Sequence, residues 1–438
     1  MNSSRARLTA EFRRPRPLVR AIVELANAAN GFRPLGRQGY KTLAVFSFGW
    51  PTSELPLLYL GGSAVDAVRR GRRGDFRGRR GLAALALTGL SWLFLAAIQR
   101  RNVTTPGPVL HDALVEGLGE DFTDVLQTLP STPSPSGRPT SRFPVASLAP
   151  AWRTTWSRRR FVDKTSTISY GPHGRANLAD VWRRRDLPRD GKAPVLLEVP
   201  GGAWAIGWRR PQAYPLMSHL ADRGWICVAM NYRVSPAHSW PDHIVDVKRA
   251  LAWIKENIAD YGGDPNFVAI SGGSAGGHLA ALAALTPGDP EYQPGFPDAD
   301  TSVVAAVPVY GRYDWYTTHG NGRREFVGYL ERLVVKRQFS RFREIYTAAS
   351  PIRRLRADAP PFFILHGEHD SVIPVDEARD FVGEFRKVAQ APVLYAELPG
   401  AQHAFDIFSS PRAHHSAEAV GQFLSWVYAR WMNKGEHA

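Results

Sequence analysis

Phe267-Val268-Ala269-Ile270-Ser271-Gly272-Gly273-Ser274-Ala275-Gly276-Gly277 is the stretch that decides the fold. A short apolar run suited to a buried strand enters a glycine-rich turn, and Ala-rich sequence suited to a helix leaves it. Glycines two residues before and after Ser274 permit close strand–helix approach, because neither carries a Cβ. The serine is expected in a strained conformation that lifts Oγ above the sheet edge. A helix starting near Ala275 points its positive dipole end at charge developing there. In this context Ser274 reads as a nucleophile rather than as part of an ordinary turn, and Ser271 as a strand-end residue.

Working outward, short apolar runs alternate with helical periodicity. The expected strands are Pro194–Val199, Trp225–Met230, Phe267–Ser271, Val303–Val309, Phe362–Leu365 and Val393–Leu398; the expected helices include Pro241–Ile258, Ala275–Leu285, Asp376–Val388 and Ala413–Trp431. That alternation implies a mainly parallel sheet with helices on both faces, with ligands bound at the carboxyl ends of the strands. Three further loops follow such strands. Pro200-Gly201-Gly202-Ala203-Trp204 places consecutive glycines where backbone N–H groups can reach an oxyanion, which assigns Gly201 and Gly202, with Ala275, to that role. His366-Gly367-Glu368-His369-Asp370 carries an acid, and Gln402-His403-Ala404-Phe405 carries a histidine. Only a neutral imidazole can take the serine proton near neutral pH, and a carboxylate holds it in the right tautomer. Ser274, Asp370 and His403 therefore form the expected triad, in a chain order this kind of sheet uses. His366 and His369 read as shaping the acid loop, His278 as a buried helix residue, and His414 and His415 as helix-surface residues.

These motifs resemble the esterase/lipase group of α/β-hydrolases related to hormone-sensitive lipase, including mycobacterial Lip-type esterases. The resemblance spans roughly Val181 to Trp431. It also rests on Asn231-Tyr232-Arg233-Val234-Ser235-Pro236, on Trp240-Pro241-Asp242 with Asp246, and on Val372 and Pro374. It implies an α/β-hydrolase fold, favours Asp370 over Glu368 as the acid, and makes Tyr232 and Arg233 structural neighbours of the oxyanion loop. Two positions depart from the family pattern: Pro200-Gly201-Gly202-Ala203 stands for His-Gly-Gly-Gly, and Gly273 stands where an acidic residue commonly precedes the nucleophile.

The 438-residue chain has a formal charge of +15, which suggests nucleic acid until its distribution is read. Residues 1–102 hold 18 Lys/Arg against five Asp/Glu, so the excess flanks apolar segments and leaves the catalytic region nearly neutral. Membrane topology explains this better than a nucleic-acid groove. Residues 1–103 read as a basic, membrane-associated helical region with two candidate spans, 42–65 and 81–99; Glu54, Pro51 and Pro56 interrupt the first. Between them, Arg69–Arg80 holds seven arginines. Whether one or both segments span, arginine placement favours an extracytoplasmic catalytic domain; a reporter fused after Arg101 that worked only in the cytoplasm would reverse this. Residues 104–147 read as a helix over Asp112–Leu126 and a Ser/Thr/Pro-rich linker at Leu129–Pro144, and 148–435 as the catalytic domain with a helical cap at about 310–346. The lone Cys227 reads as a small buried hydrophobe.

The expected reaction is cleavage of a small-molecule or lipid ester, short- to medium-chain by resemblance, through an acyl-enzyme on Ser274, with no metal or cofactor. Trp204, Tyr310 and Phe405 are the expected substrate contacts. Tyr313, Trp315, Tyr316, Phe326 and Tyr329 of the cap either line an acyl pocket or pack the cap onto the body. The same triad would serve an amidase, an arylformamidase or an acyltransferase, and the same fold a non-catalytic interaction protein.

Overall fold

The computed structural model describes residues 17–36, 41–127, 158–163, 165–316 and 323–435; the expected linker at 129–144 lies outside them. Six helices come first: α1 (Pro17–Phe32), α2 (Lys41–Glu54), α3 (Pro56–Arg72), α4 (Gly78–Thr104), α5 (Pro106–Leu118) and α6 (Phe122–Gln127). Eight strands follow: β1 (Thr167–Ser169), β2 (Leu178–Trp182), β3 (Ala193–Val199), β4 (Ile226–Met230), β5 (Gly263–Gly273), β6 (Ala305–Val309), β7 (Phe362–Gly367) and β8 (Val393–Leu398). Between and after them lie α7 (Tyr214–Asp222), α8 (Asp242–Asn257), α9 (Ala275–Leu285), α10 (Arg323–Tyr329), α11 (Arg343–Ala348), α12 (Asp376–Arg386) and α13 (Pro411–Gly435).

The strands form one sheet in the order β1-β2-β4-β3-β5-β6-β7-β8. Pairing is parallel from β4 to β8 and antiparallel where β2 meets β1 and β4. Side chains alternate between two cores, as a two-residue period requires. Val195, Leu197 and Val199 of β3 join Val228 and Ile270 on one face, covered by α8, α9 and α12. Leu196 joins Cys227, Ala229 and Ala269 on the other, covered by α7 and α13. Burial on both faces explains why the central strands are almost uninterrupted apolar runs. All six expected strands and four expected helices are present, within a few residues. The antiparallel strands β1 and β2 and the helix α7 were not anticipated.

The N-terminal region differs from expectation in two ways. The expected first span, 42–65, is two helices that meet at Leu55, since Pro56 begins α3 and has no N–H to continue α2. Glu54, at the end of α2, is buried and ion-paired with the fully buried Arg412 of α13. Ser410 Oγ also donates to Glu54 Oε2 at 2.9 Å, and Arg412 Nη2 donates to Asn102 Oδ1 of α4 at 2.6 Å. The acid of this segment is thereby locked into the catalytic domain. The second difference is at Asp112–Leu126, where the helix breaks at Gly119 (φ 97°). Leu110, Ala113 and Leu114 of α5 and Phe122 of α6 lie in the same core as α7, α13 and the sheet. This piece therefore covers the sheet. Cys227 is buried, as expected.

Among the described residues one helical stretch, Gly78–Leu118, is long and apolar enough to cross a membrane, with a mean hydropathy of 2.0 over its best window. Helices α1, α3 and α4 pack together through Ala28, Leu60, Leu95 and Ile98.

Glu54→Gln should destabilise the protein by about 3–5 kcal/mol, because it leaves the Arg412 guanidinium buried without its counter-charge. Adding Arg412→Met should recover much of the loss. Denaturant unfolding of the two variants checks this, and a cost below about 1 kcal/mol for the single variant would contradict it.

Candidate active site

The turn after β5 gives Ser274 φ 58° and ψ −120°, the strained geometry expected of a side chain presented above a strand–helix junction. Close approach is what allows it. A Cβ on Gly276 would lie 2.0 Å from the Val199 carbonyl oxygen, so α9 can begin against β3 only with glycine there. Gly273 has its own reason. A Cβ at that position would lie 2.6 Å from Tyr310 Oη, so the tyrosine fills the space that a side chain before the nucleophile would take. Tyr310 Oη in turn donates to Asp406.

The three residues singled out from loops come together. Ser274 Oγ and His403 Nε2 are 2.9 Å apart, and His403 Nδ1 and Asp370 Oδ2 are 2.6 Å apart. Asp370 Oδ1 accepts from the Val372 and Ile373 N–H groups at 2.8 and 2.7 Å, which leaves Oδ2 aimed at the imidazole. Burial opposes charge on Asp370, but the His403 and His366 rings and their hydrogen bonds outweigh it and hold the carboxyl well below the usual carboxylate range. The acid is thus ionised, and the imidazole Nδ1 carries the proton it receives. Glu368 is used differently: its Oε2 accepts from Gly400 N–H at 2.8 Å and pins the start of the histidine loop. His366 is fully buried, with Nε2 on the Ile373 carbonyl at 2.9 Å. His278 is buried too, accepting from Trp204 Nε1 at Nδ1 and donating from Nε2 to the Ala349 carbonyl at 2.7 Å.

The oxyanion loop needs one correction. Gly201 lies beside the nucleophile, but its N–H donates to Gln212 Oε1 at 2.7 Å and is not free to meet an oxyanion. Gln212 Nε2 closes the ring by donating to the Gly201 carbonyl at 3.2 Å. Beyond it, the turn is tightened by Ala205 and Ile206 N–H bonds to the Gly202 carbonyl, with φ 131° at Gly202 and 53° at Ala203. Among the described residues no acceptor takes the N–H of Gly202, Ala203 or Ala275. Ala203 was not anticipated, because the donors were assigned to the glycines and Gln212 stands eleven residues downstream. Tyr232 Oη donates to the Pro200 carbonyl at 3.1 Å and supports this loop from behind, whereas Arg233 pairs with Asp246 and Asp242 of α8.

The expected substrate contacts are mostly buried. Phe405 is fully buried against Tyr310, and Trp204 is packed among His278, Trp315 and Phe326. Their apolar bulk is used for packing, and neither lines an open surface. Tyr310 lies with its ring 4.7 Å from His403, and its hydroxyl is committed to Asp406. Among the cap aromatics, Tyr313, Trp315 and Tyr316 are buried and fasten the cap to the body. Phe326 and Tyr329 reach the oxyanion turn, where Tyr329 Oη donates to the Ala203 carbonyl at 2.6 Å.

The histidine loop is also held from the N-terminal side, which the sequence did not suggest. Trp50 Nε1 of α2 donates to the Ala404 carbonyl at 2.8 Å, and the Phe46 ring lies edge-on to His403 with centroids 5.8 Å apart. Arg101 of α4 donates to the Gly400 carbonyl at 3.3 Å.

Glu198, buried in β3 just before the oxyanion loop, has its pKa raised from 4.5 to about 8 by burial and by the nearby Asp406, against the opposing hydrogen bond from Ser271. An acid whose pKa is raised on folding favours the folded state fully below its unfolded pKa and loses that contribution as pH rises towards 8. Glu198→Gln mimics the protonated acid. Its melting temperature should therefore gain on the parent protein's as pH rises from 4.5 to 8. A gap that stays constant across that window would mean Glu198 is already ionised in the fold.

Comparison with known proteins agrees with this geometry. The BD-FAE family model matches residues 186–385. The probable carboxylic ester hydrolase LipM of Mycobacterium tuberculosis is 47% identical over 424 residues, covering 94% of this chain and 93% of that protein. Esterase LipQ of the same organism is 45% identical over 384 residues, covering 88% of this chain and 85% of that one. Among solved structures, a truncated carbohydrate esterase from gut microbiota shares the fold with a TM-score of 0.51 at 20% identity, covering 61% of this chain and 97% of its own. The likeness to LipM and LipQ runs through the N-terminal helices as well as the sheet, and the chain belongs with them to a family of carboxylic ester hydrolases on the α/β-hydrolase fold.

Proposed function

We propose that the protein cleaves short- to medium-chain or lipid esters through an acyl-enzyme on Ser274. The observation that carries this reading is the continuous relay Ser274 Oγ–His403–Asp370, with hydrogen bonds of 2.9 and 2.6 Å. His403 Nε2 takes the serine proton as Oγ attacks the ester carbonyl, and Asp370 stabilises the imidazolium. The free N–H groups of Gly202, Ala203 and Ala275 hold the oxyanion. His403 returns the proton to the leaving alcohol, and water then enters by the same base to release the acid. Phe326 and Tyr329 of the cap face the acyl group. The N-terminal helices seat the domain at a membrane, a reading supported by the apolar length of Gly78–Leu118 and the arginines before it.

Ser274→Ala should lower kcat on a nitrophenyl ester by about a thousandfold or more, since triad members act as a unit. A Ser274→Ala protein with near-parental turnover would overturn the assignment. A panel of matched esters, amides and alcohol acceptors separates hydrolysis of esters from amidase and acyltransferase activity.

A further inference from the structure

A second cavity, distinct from the triad, lies among the N-terminal helices. It has a volume of about 550 Å³ and is walled by α1, α2, α3 and α4. That is within the range of small-molecule sites, roughly 300–1,000 Å³. Its lining is mostly apolar, including Val45 and Phe48 of α2 and Leu95 of α4. The rim is apolar as well: Val23, Leu35 and Phe48 are 61%, 70% and 68% exposed. One polar atom in the wall is unsatisfied. Asn27 Nδ2 donates to Thr52 Oγ1 at 2.7 Å, but Asn27 Oδ1 is buried with no partner among the described residues. A buried acceptor left unpaired costs about 1–3 kcal/mol, so a ligand that brings a donor would complete the wall. Glu24 also lines the cavity, but its carboxylate is paired with Arg20 at 3.3 Å and accepts from Ser63 Oγ at 3.3 Å, which suits a neutral head group.

The surroundings say where the ligand comes from. Helix α4 is part of the one span-capable stretch, and it carries exposed Leu82, Leu85, Leu90 and Leu93. The arginines at 69–80 precede it at one end. Ser91 and Leu95, which line the cavity, stand about 20–25 Å further along the helix. The cavity lies towards the end of α4 where Arg101 meets the catalytic domain, and in a membrane-seated protein it would open at hydrocarbon depth. We infer that this cavity holds the alkyl chain of a neutral, hydroxyl-bearing bilayer lipid, such as a monoacylglycerol, with the hydroxyl donating to Asn27 Oδ1. The inference rests on the membrane-seated reading above but does not depend on Ser274. Helix α2 connects the two sites, since Val45 and Phe48 line the cavity while Phe46 and Trp50 of the same helix touch the histidine loop.

The test is photo-crosslinking of the full-length protein in phosphatidylcholine vesicles with a 1-O-alkylglycerol carrying a diazirine in its chain. The ether cannot be hydrolysed, so labelling reads binding alone, and Ser274→Ala protein should be labelled as strongly as the parent. Label should map to α1, α2 and the inner face of α4. Val45→Trp, which fills the cavity, should abolish most of it. Asn27→Leu should lower it about fivefold, the worth of roughly one hydrogen bond. Circular dichroism of each variant reports that it is folded. Label confined to the outward residues of α4, such as Leu93, and indifferent to both variants would mean surrounding lipid only and would overturn the proposal. So would label found only on the loops around Ser274, which would place the chain in the catalytic site instead.

Discussion

The contact between Ser274 Oγ and His403 Nε2 joins residues 129 positions apart, and most of the molecule serves to keep it at 2.9 Å. A hydroxyl becomes a nucleophile only while a neutral imidazole stays in reach, and a displacement of about 1 Å is costly in rate. Each partner is held by separate means. Ser274 is held by a strained turn that only glycine at Gly276 permits, because the Val199 carbonyl occupies the space a side chain would need. His403 is held by Asp370, whose other oxygen is tied to two backbone N–H groups of its own loop.

The histidine loop depends on the N-terminal helices as much as on the sheet. Glu368 grips Gly400 from one side, while Arg101, Trp50 and the Glu54–Arg412 pair grip Gly400, Ala404 and the start of α13 from the other. A helix that merely tethered the domain to a lipid surface would not place an indole donor on the histidine loop and a buried ion pair at the start of α13. The likeness to LipM over 94% of this chain fits a single functional unit in which the N-terminal helices and the sheet are inherited together.

Much of the fold was legible because the central strands are buried on both faces and read as unbroken apolar runs bounded by glycine-rich loops. Residues 362–365 are of this kind, as are 194–199 apart from Glu198. The antiparallel strands β1 and β2 were not legible: β1 is three residues long, Asp180 sits within β2, and they pair at one end of the sheet. Asp180 is buried and surrounded by Arg158, Arg209 and Arg210, partners that no local pattern reveals. Ser274, Asp370 and His403 could be found because each follows a strand. The occupied N–H of Gly201 could not, because its acceptor is the side chain of Gln212 on a neighbouring turn. Trp204 and Phe405 look like pocket residues by position, yet large aromatics beside a catalytic loop pack it at least as readily as they line it. Pro51 and Glu54 broke the first apolar segment on paper, and the buried Arg412 that explains Glu54 lies more than 350 residues away.

The most direct test of the account is rapid-quench mass spectrometry during turnover of a nitrophenyl acetate. The account predicts a burst of nitrophenol and a protein transiently heavier by one acetyl group, with the added mass on the peptide that contains Ser274. Turnover with no burst and no acylated intermediate, or acetyl carried on another side chain, would contradict it.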